Sequence, residues 1–169
     1  MRTNDTLVNI VRFVTLVLVQ VLLLSHVNFM GYVNPYLYPL FILVYPLAGD
    51  KTLLIFLSFV LGLTIDIFSD SGGVHAAACV FIAWIRPVIL KFSFGVSYQL
   101  NTLKISTAPL AKRIVYILTM VVFHHLILFS LEIFNMDHII LILKSTLLSG
   151  IFTVILMVAT ILLFSKRTA

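Results

Sequence analysis

"YLYPLFILVYPLA", residues 36–48, decides how many times this chain can cross a membrane. The run is greasy enough for lipid, yet Pro39 and Pro46 interrupt it. As a helix its apolar core would rise only about 20 Å, against a hydrocarbon slab roughly 30 Å thick. It is therefore a short kinked crossing or a re-entrant loop, and the charges around it separate the two. If it crosses, Arg2, Arg12, Lys51, Lys91, Lys104, Lys112, Arg113, Lys166 and Arg167 share one side of the membrane. Asp66, Asp70, Glu132 and Asp137 then share the other, where Lys144 is the only base. If it does not cross, the basic 91–113 stretch moves away from the basic N-terminus and the bias collapses. Cytoplasmic loops collect Lys and Arg, so the crossing is the better reading.

Composition agrees with a chain dissolved in lipid. Of 169 residues, 62% are hydrophobic and 10% charged, with a mean hydropathy of +1.18. Soluble domains carry about 25% charged residues. Apolar segments run from about Arg12 to Phe29, Val33 to Ala48, Thr52 to Phe68, Val74 to Leu90, Ile114 to Phe134 and Ile139 to Phe164. Six spans need on the order of 120 residues, which leaves little for a soluble part. The expectation is one integral membrane domain over residues 1–169, an all-α polytopic protein of six transmembrane helices with both termini cytoplasmic. Within the second span the prolines kink or tilt the helix, and Tyr36, Tyr38 and Tyr45 suit the membrane interfaces. "LVLVQVLLL" near the start resembles a signal peptide but runs into "SHVNFMGY" with no small-residue cleavage site, so it reads as a retained first helix. The net charge of +5 is explained by topology and needs no nucleic acid. Cys79 has no partner for a disulfide.

The third and fourth spans meet at "GLTIDIFSDSGGVHAAA", residues 62–78. Ser58, Gly62, Asp66 and Asp70 recur every four residues and share a helix face, and Ala76, Cys79 and Ala83 form a matching small stripe. Small residues let membrane helices approach closely. Gly72 and Gly73 supply the corner, and Asp70 or Ser71 can cap the amides that open the next helix. An antiparallel register puts Asp66 opposite His75, so a side-chain hydrogen bond between them is expected. Arg86 lies about nine residues deeper, roughly 14 Å, too far to pair with Asp66. It should snorkel to the surface or find a partner on a neighbouring helix.

Reactive-looking groups resolve into packing. His125 and Glu132 share a face but lie roughly 10 Å apart along the axis, too far to share one metal ion, so His124 and His125 read as interhelical hydrogen-bonding residues. Ser69 and Ser71 beside acids and His75 are explained by local capping. Asp66 and Asp70 lie on one segment, and no second acid faces them as an aspartyl protease requires. No phosphate-binding loop is present. Neither a catalytic residue nor a cofactor or metal site is expected. On the sixth span Thr146, Gly150 and Thr153 form another close-packing stripe, while Lys144 either snorkels or pairs with Asp137 or Glu132. In the 91–113 loop Phe92, Phe94, Val96, Tyr98 and Leu100 alternate with small or polar residues, which favours an extended segment at the interface.

Gly62, then Asp66 with Ile67, Phe68 and Ser69, then Gly73 resembles the signature of the rod shape-determining MreD family. The match is close over about residues 58–86 and elsewhere extends to hydropathy, length, the proline-marked second segment and the small stripe of the last helix. The resemblance implies a bundle like the substrate-binding S subunits of vitamin transporters, seated in the bacterial cytoplasmic membrane. It also implies a role in building the lateral peptidoglycan wall. The partners it implies are the single-pass protein MreC within the membrane, the MreB filament, the RodA glycosyltransferase and a penicillin-binding transpeptidase. Gly62, Asp66, Asp70, Gly72, Gly73, His75 and Arg86 would then form a structural or interaction hairpin. The competing expectation is a solute-binding subunit, with Asp66, His75, Asn34 and Glu132 lining a polar cavity.

Overall fold

The structure, a computed structural model, describes residues 3–27, 33–95, 105, 108–134 and 136–164. Its elements are helical: α1 (Thr3–Leu22), a five-residue α2 (Leu40–Val44), α3 (Lys51–Ser69), α4 (Val74–Phe94), α5 (Leu110–Ile133) and α6 (Ile139–Phe164). Helices α3 to α6 pack each on the next in chain order, and α1 lies against α3 and α2. These last four helices are long and apolar enough to cross a membrane. Polarity is inverted relative to a soluble fold. Ile67, Trp84, Val88, Phe92, Leu147 and Leu163 face outward, while Gln20, Asp66, His75, Arg86, His124, His125 and Ser149 are buried. That arrangement fits a lipid surround, where polar groups must be satisfied inside the bundle.

The second segment departs from the expected helix over 33–48. Only Leu40–Val44 is helical, and residues 33–39 run non-helical through the interior. Pro35, Pro39 and Pro46 remove three backbone donors, so a continuous helix would be broken three times. The remaining amides are met by side chains from other helices. Asn34 N–H donates to Ser149 Oγ (3.2 Å) and Tyr36 N–H to Thr153 Oγ1 (3.0 Å) on α6. Gln20 on α1 accepts from Leu37 N–H (2.8 Å) and donates to the Pro35 carbonyl (3.3 Å). In an apolar surround, irregular backbone survives where protein encloses it in this way. The segment passes from the level of His75 to that of Arg86, eleven residues of α4, or about 16 Å. Tyr36, Tyr38 and Tyr45 consequently turn inward and are buried within the bundle, where outward-facing interfacial side chains were expected.

Two boundaries also move. α1 begins at Thr3 and ends at Leu22, well before the expected limits of Arg12 and Phe29, and a short 3-10 turn follows at Leu24–His26. α4 continues through Phe94, so Phe92 and Phe94 are helical where an extended strip was expected. Val96, Tyr98 and Leu100 lie outside the described residues.

Candidate functional site

The corner between α3 and α4 is organised by one carboxylate. Gly73, at the N-cap of α4, has φ 98° and no side chain with which to cap. Asp66 supplies the cap from the preceding helix instead. Its Oδ1 accepts from His75 N–H (3.0 Å) and Ser71 Oγ (2.6 Å), and its Oδ2 from Ala76 N–H (2.8 Å). Its backbone carbonyl closes α3 by accepting from the amides of Asp70 and Ser71. The acid and His75 therefore meet as the register required, but through the backbone amide and not the imidazole. Capping by Asp70 or Ser71 is likewise replaced: Asp70 is exposed, in the left-handed region at φ 51°, and Ser71 donates to Asp66. A carboxylate 5% exposed is tolerated because three donors and a helix N-terminus surround it.

One turn below, Gly62 lets the two helices touch. A Cβ built there would lie 2.4 Å from Ala76 Cα, 2.5 Å from His75 O and 2.6 Å from Ala76 N. Those are backbone atoms with no side-chain freedom to move aside.

His75 spends its ring on the second segment. Tyr38 Oη lies 2.7 Å from His75 Nδ1 and 2.9 Å from His124 Nε2, and Tyr38 is fully buried. The phenol owns one proton, so it donates to one ring and accepts from the other. His124 Nδ1 has no partner among the described residues. If Nε2 were bare, that buried Nδ1 would carry an unpaired N–H, the costlier outcome. Hydrogen-bond accounting therefore assigns His124 Nε2–H as donor to Tyr38, and Tyr38 as donor to His75 Nδ1. His125 is fixed separately. Its Nδ1–H donates to the Val121 carbonyl (2.9 Å), leaving Nε2 to accept from Thr153 Oγ1 (3.2 Å). Thr153 in turn accepts the amide of Tyr36, so α5, α6 and the second segment are tied through one hydroxyl. Tyr38→Phe is expected to lower stability by roughly 2–4 kcal/mol, because two buried ring nitrogens lose their partner. Thermal melts in detergent read the loss, and side-chain ¹⁵N shifts of His75 and His124 should move together.

Arg86, 5% exposed, finds its partners on neighbouring elements. Nε donates to Tyr116 Oη on α5 (3.1 Å), and Nη2 donates to the carbonyls of Leu43 (3.3 Å) and Tyr45. Tyr116 Oη also donates to the Leu43 carbonyl (3.1 Å). A five-residue helix leaves its last carbonyls open, and Pro46 cannot close them. Arg86 is the cap of α2.

Of the hairpin residues read from the sequence, Gly62, Asp66, Gly73 and His75 come together, while Asp70 and Gly72 are exposed at the tip and Arg86 belongs to a separate centre. Glu132 and Lys144 are exposed. The bonding roles of Gln20, Tyr38, Thr153 and Tyr116 did not emerge from the sequence, where Tyr38 reads as interfacial and Thr153 as part of a packing stripe. Their only sequence signal is a polar side chain inside an apolar run, and Tyr38 and Tyr116 look like ordinary aromatics there. On the outer face of α3 and α4, an open apolar groove of about 570 Å³ is lined by Phe59, Leu63, Phe81 and Trp84 together with Gly73, Ala76, Ala77 and Val80. Comparison with protein-family models, curated proteins and solved structures finds no match to this chain.

Proposed function

We propose that this protein is a non-catalytic membrane scaffold of the MreD type, crossing the bacterial cytoplasmic membrane six times with both termini in the cytoplasm. In that reading the groove on α3 and α4 receives the transmembrane helix of MreC, and the complex couples peptidoglycan synthesis to the MreB filament beside RodA and its transpeptidase. The observation that carries the reading is the pairing of a rigid hairpin with an outward groove. Its lining includes Gly73, Ala76 and Ala77, small residues of the kind membrane helices use for close association. Its position is held by Asp66 and Gly62, the residues on which the family resemblance rests. In this reading the second segment, which joins α1 to α3 through the bundle interior, is the crossing that makes the count even.

The competing solute-binding reading needs free polar groups around a cavity. Asp66 is occupied by two amides and a hydroxyl, and His75 by Tyr38. That favours the scaffold.

Photocrosslinking amino acids placed at Ala77, Phe81 and Trp84 in cells should capture MreC, while the same probe at Leu147 on α6 should not. Capture of lipid alone at all groove positions, with the protein at normal abundance, would overturn the proposal.

A further inference from the structure

Arg86 is a guanidinium inside the bundle, yet among the described residues its hydrogen bonds go to neutral oxygens, through Nε and Nη2. Its Nη1 makes no hydrogen bond among the described residues. Buried charges are normally paired, because desolvating an ion costs several kcal/mol. Close by, Tyr45 is 1% exposed and its Oη also lacks a partner among the described residues. Both residues line one narrow cavity of about 20 Å³, together with Leu47, Gly49, Lys51 and Leu54. That volume takes one oxygen-sized group. Arg86 and Tyr45 both border it, and Lys51, exposed at the start of α3, adds a second cation. Asp50 is adjacent in the chain, but its carboxylate caps α3 through the amides of Thr52 (2.7 Å) and Leu53 (3.4 Å). The balance of Lys51, Arg86 and Asp50 stays positive.

We propose that this cavity is an oxyanion seat for a phosphate group, with Arg86 Nη1 and Tyr45 Oη donating to one phosphoryl oxygen and Lys51 facing the remaining charge. The seat lies at the basic end of the bundle, where Lys51 and Lys91 sit and where anionic headgroups collect. An anionic phospholipid or free phosphate can offer the same oxygen. When filled, the seat gives Arg86 its missing counter-ion and locks the second segment against α3 and α4.

The test compares the full chain in phosphatidylcholine nanodiscs alone, with added phosphatidylglycerol, and with inorganic phosphate. Thermal midpoints and native mass spectrometry of bound lipid are the readouts. Tyr45→Phe and Lys51→Gln spare the carbonyl contacts of Arg86, so both should melt like the parent in pure phosphatidylcholine. Each should weaken phosphatidylglycerol binding by about fivefold, the equivalent of one hydrogen bond or a favourable exposed ion pair. Stabilisation by the lipid alone identifies a headgroup, and stabilisation by inorganic phosphate identifies a free anion. Both support the seat when the two variants lose the effect. No stabilisation by either probe, or equal stabilisation of parent and variants, would overturn it and leave a cavity that holds only water. None of these outcomes depends on MreC, so failure here is separable from failure of the scaffold reading.

Discussion

Gly62→Ala should separate α3 from α4 and cost the protein at least 3 kcal/mol, the upper end of overpacking penalties. The added methyl would sit within 2.4–2.6 Å of three backbone atoms of His75 and Ala76, so no rotamer change can relieve it. Ala76→Gly should therefore fail to rescue the variant, because the clash is with Cα, N and a carbonyl oxygen and not with the Ala76 methyl. Unfolding in mixed micelles, read by tryptophan fluorescence of Trp84, measures the loss. A Gly62→Ala protein as stable as the parent would show that the two backbones do not approach as described.

Asp66→Leu should be comparably severe, at about 3–5 kcal/mol, since hydrogen bonds to a charged acceptor contribute roughly 1.5–3 kcal/mol each. Three donors, His75 N–H, Ala76 N–H and Ser71 Oγ, lose their acceptor at once, and α4 has no cap of its own at Gly73. Asp66→Asn keeps one acceptor oxygen and should cost about 1–2 kcal/mol, a usual loss for a weakened cap. Hydrogen exchange at the first turn of α4 distinguishes the three proteins: protection should fall slightly in the Asn variant and vanish in the Leu variant. Unchanged protection in Asp66→Leu would remove the acid from the hairpin. The Gly62→Ala and Asp66→Asn costs should also combine to less than their sum, because Asp66 reaches His75 and Ala76 only while Gly62 keeps α4 close.

Part of this was legible in residue order. The four-residue spacing of Ser58, Gly62 and Asp66 placed them on the buried face of α3, and a shared face follows from helical periodicity alone. The register that set Asp66 against the start of α4 was equally readable from the corner glycines. Which atoms of His75 would answer was not readable. The choice between amide and imidazole depended on Tyr38, thirty-seven residues upstream, taking the ring.

The second segment shows where local rules stop. Its prolines announced a broken helix, but the amount of helix that survived was set by remote donors and acceptors. Gln20, Ser149, Thr153 and Arg86 bond its backbone, and none lies within ten residues of it except through the fold. Apolar composition, hydrophobic runs and small-residue spacing by themselves determined a lipid-facing helical bundle with a tight α3–α4 hairpin, because burial and helical period are local properties. Only the tertiary structure decided that residues 33–39 run non-helical, that three tyrosines turn inward and that Arg86 caps a five-residue helix. The reason is physical: in a low-dielectric interior every backbone polar group must be matched, and the matching partners lie far away in sequence.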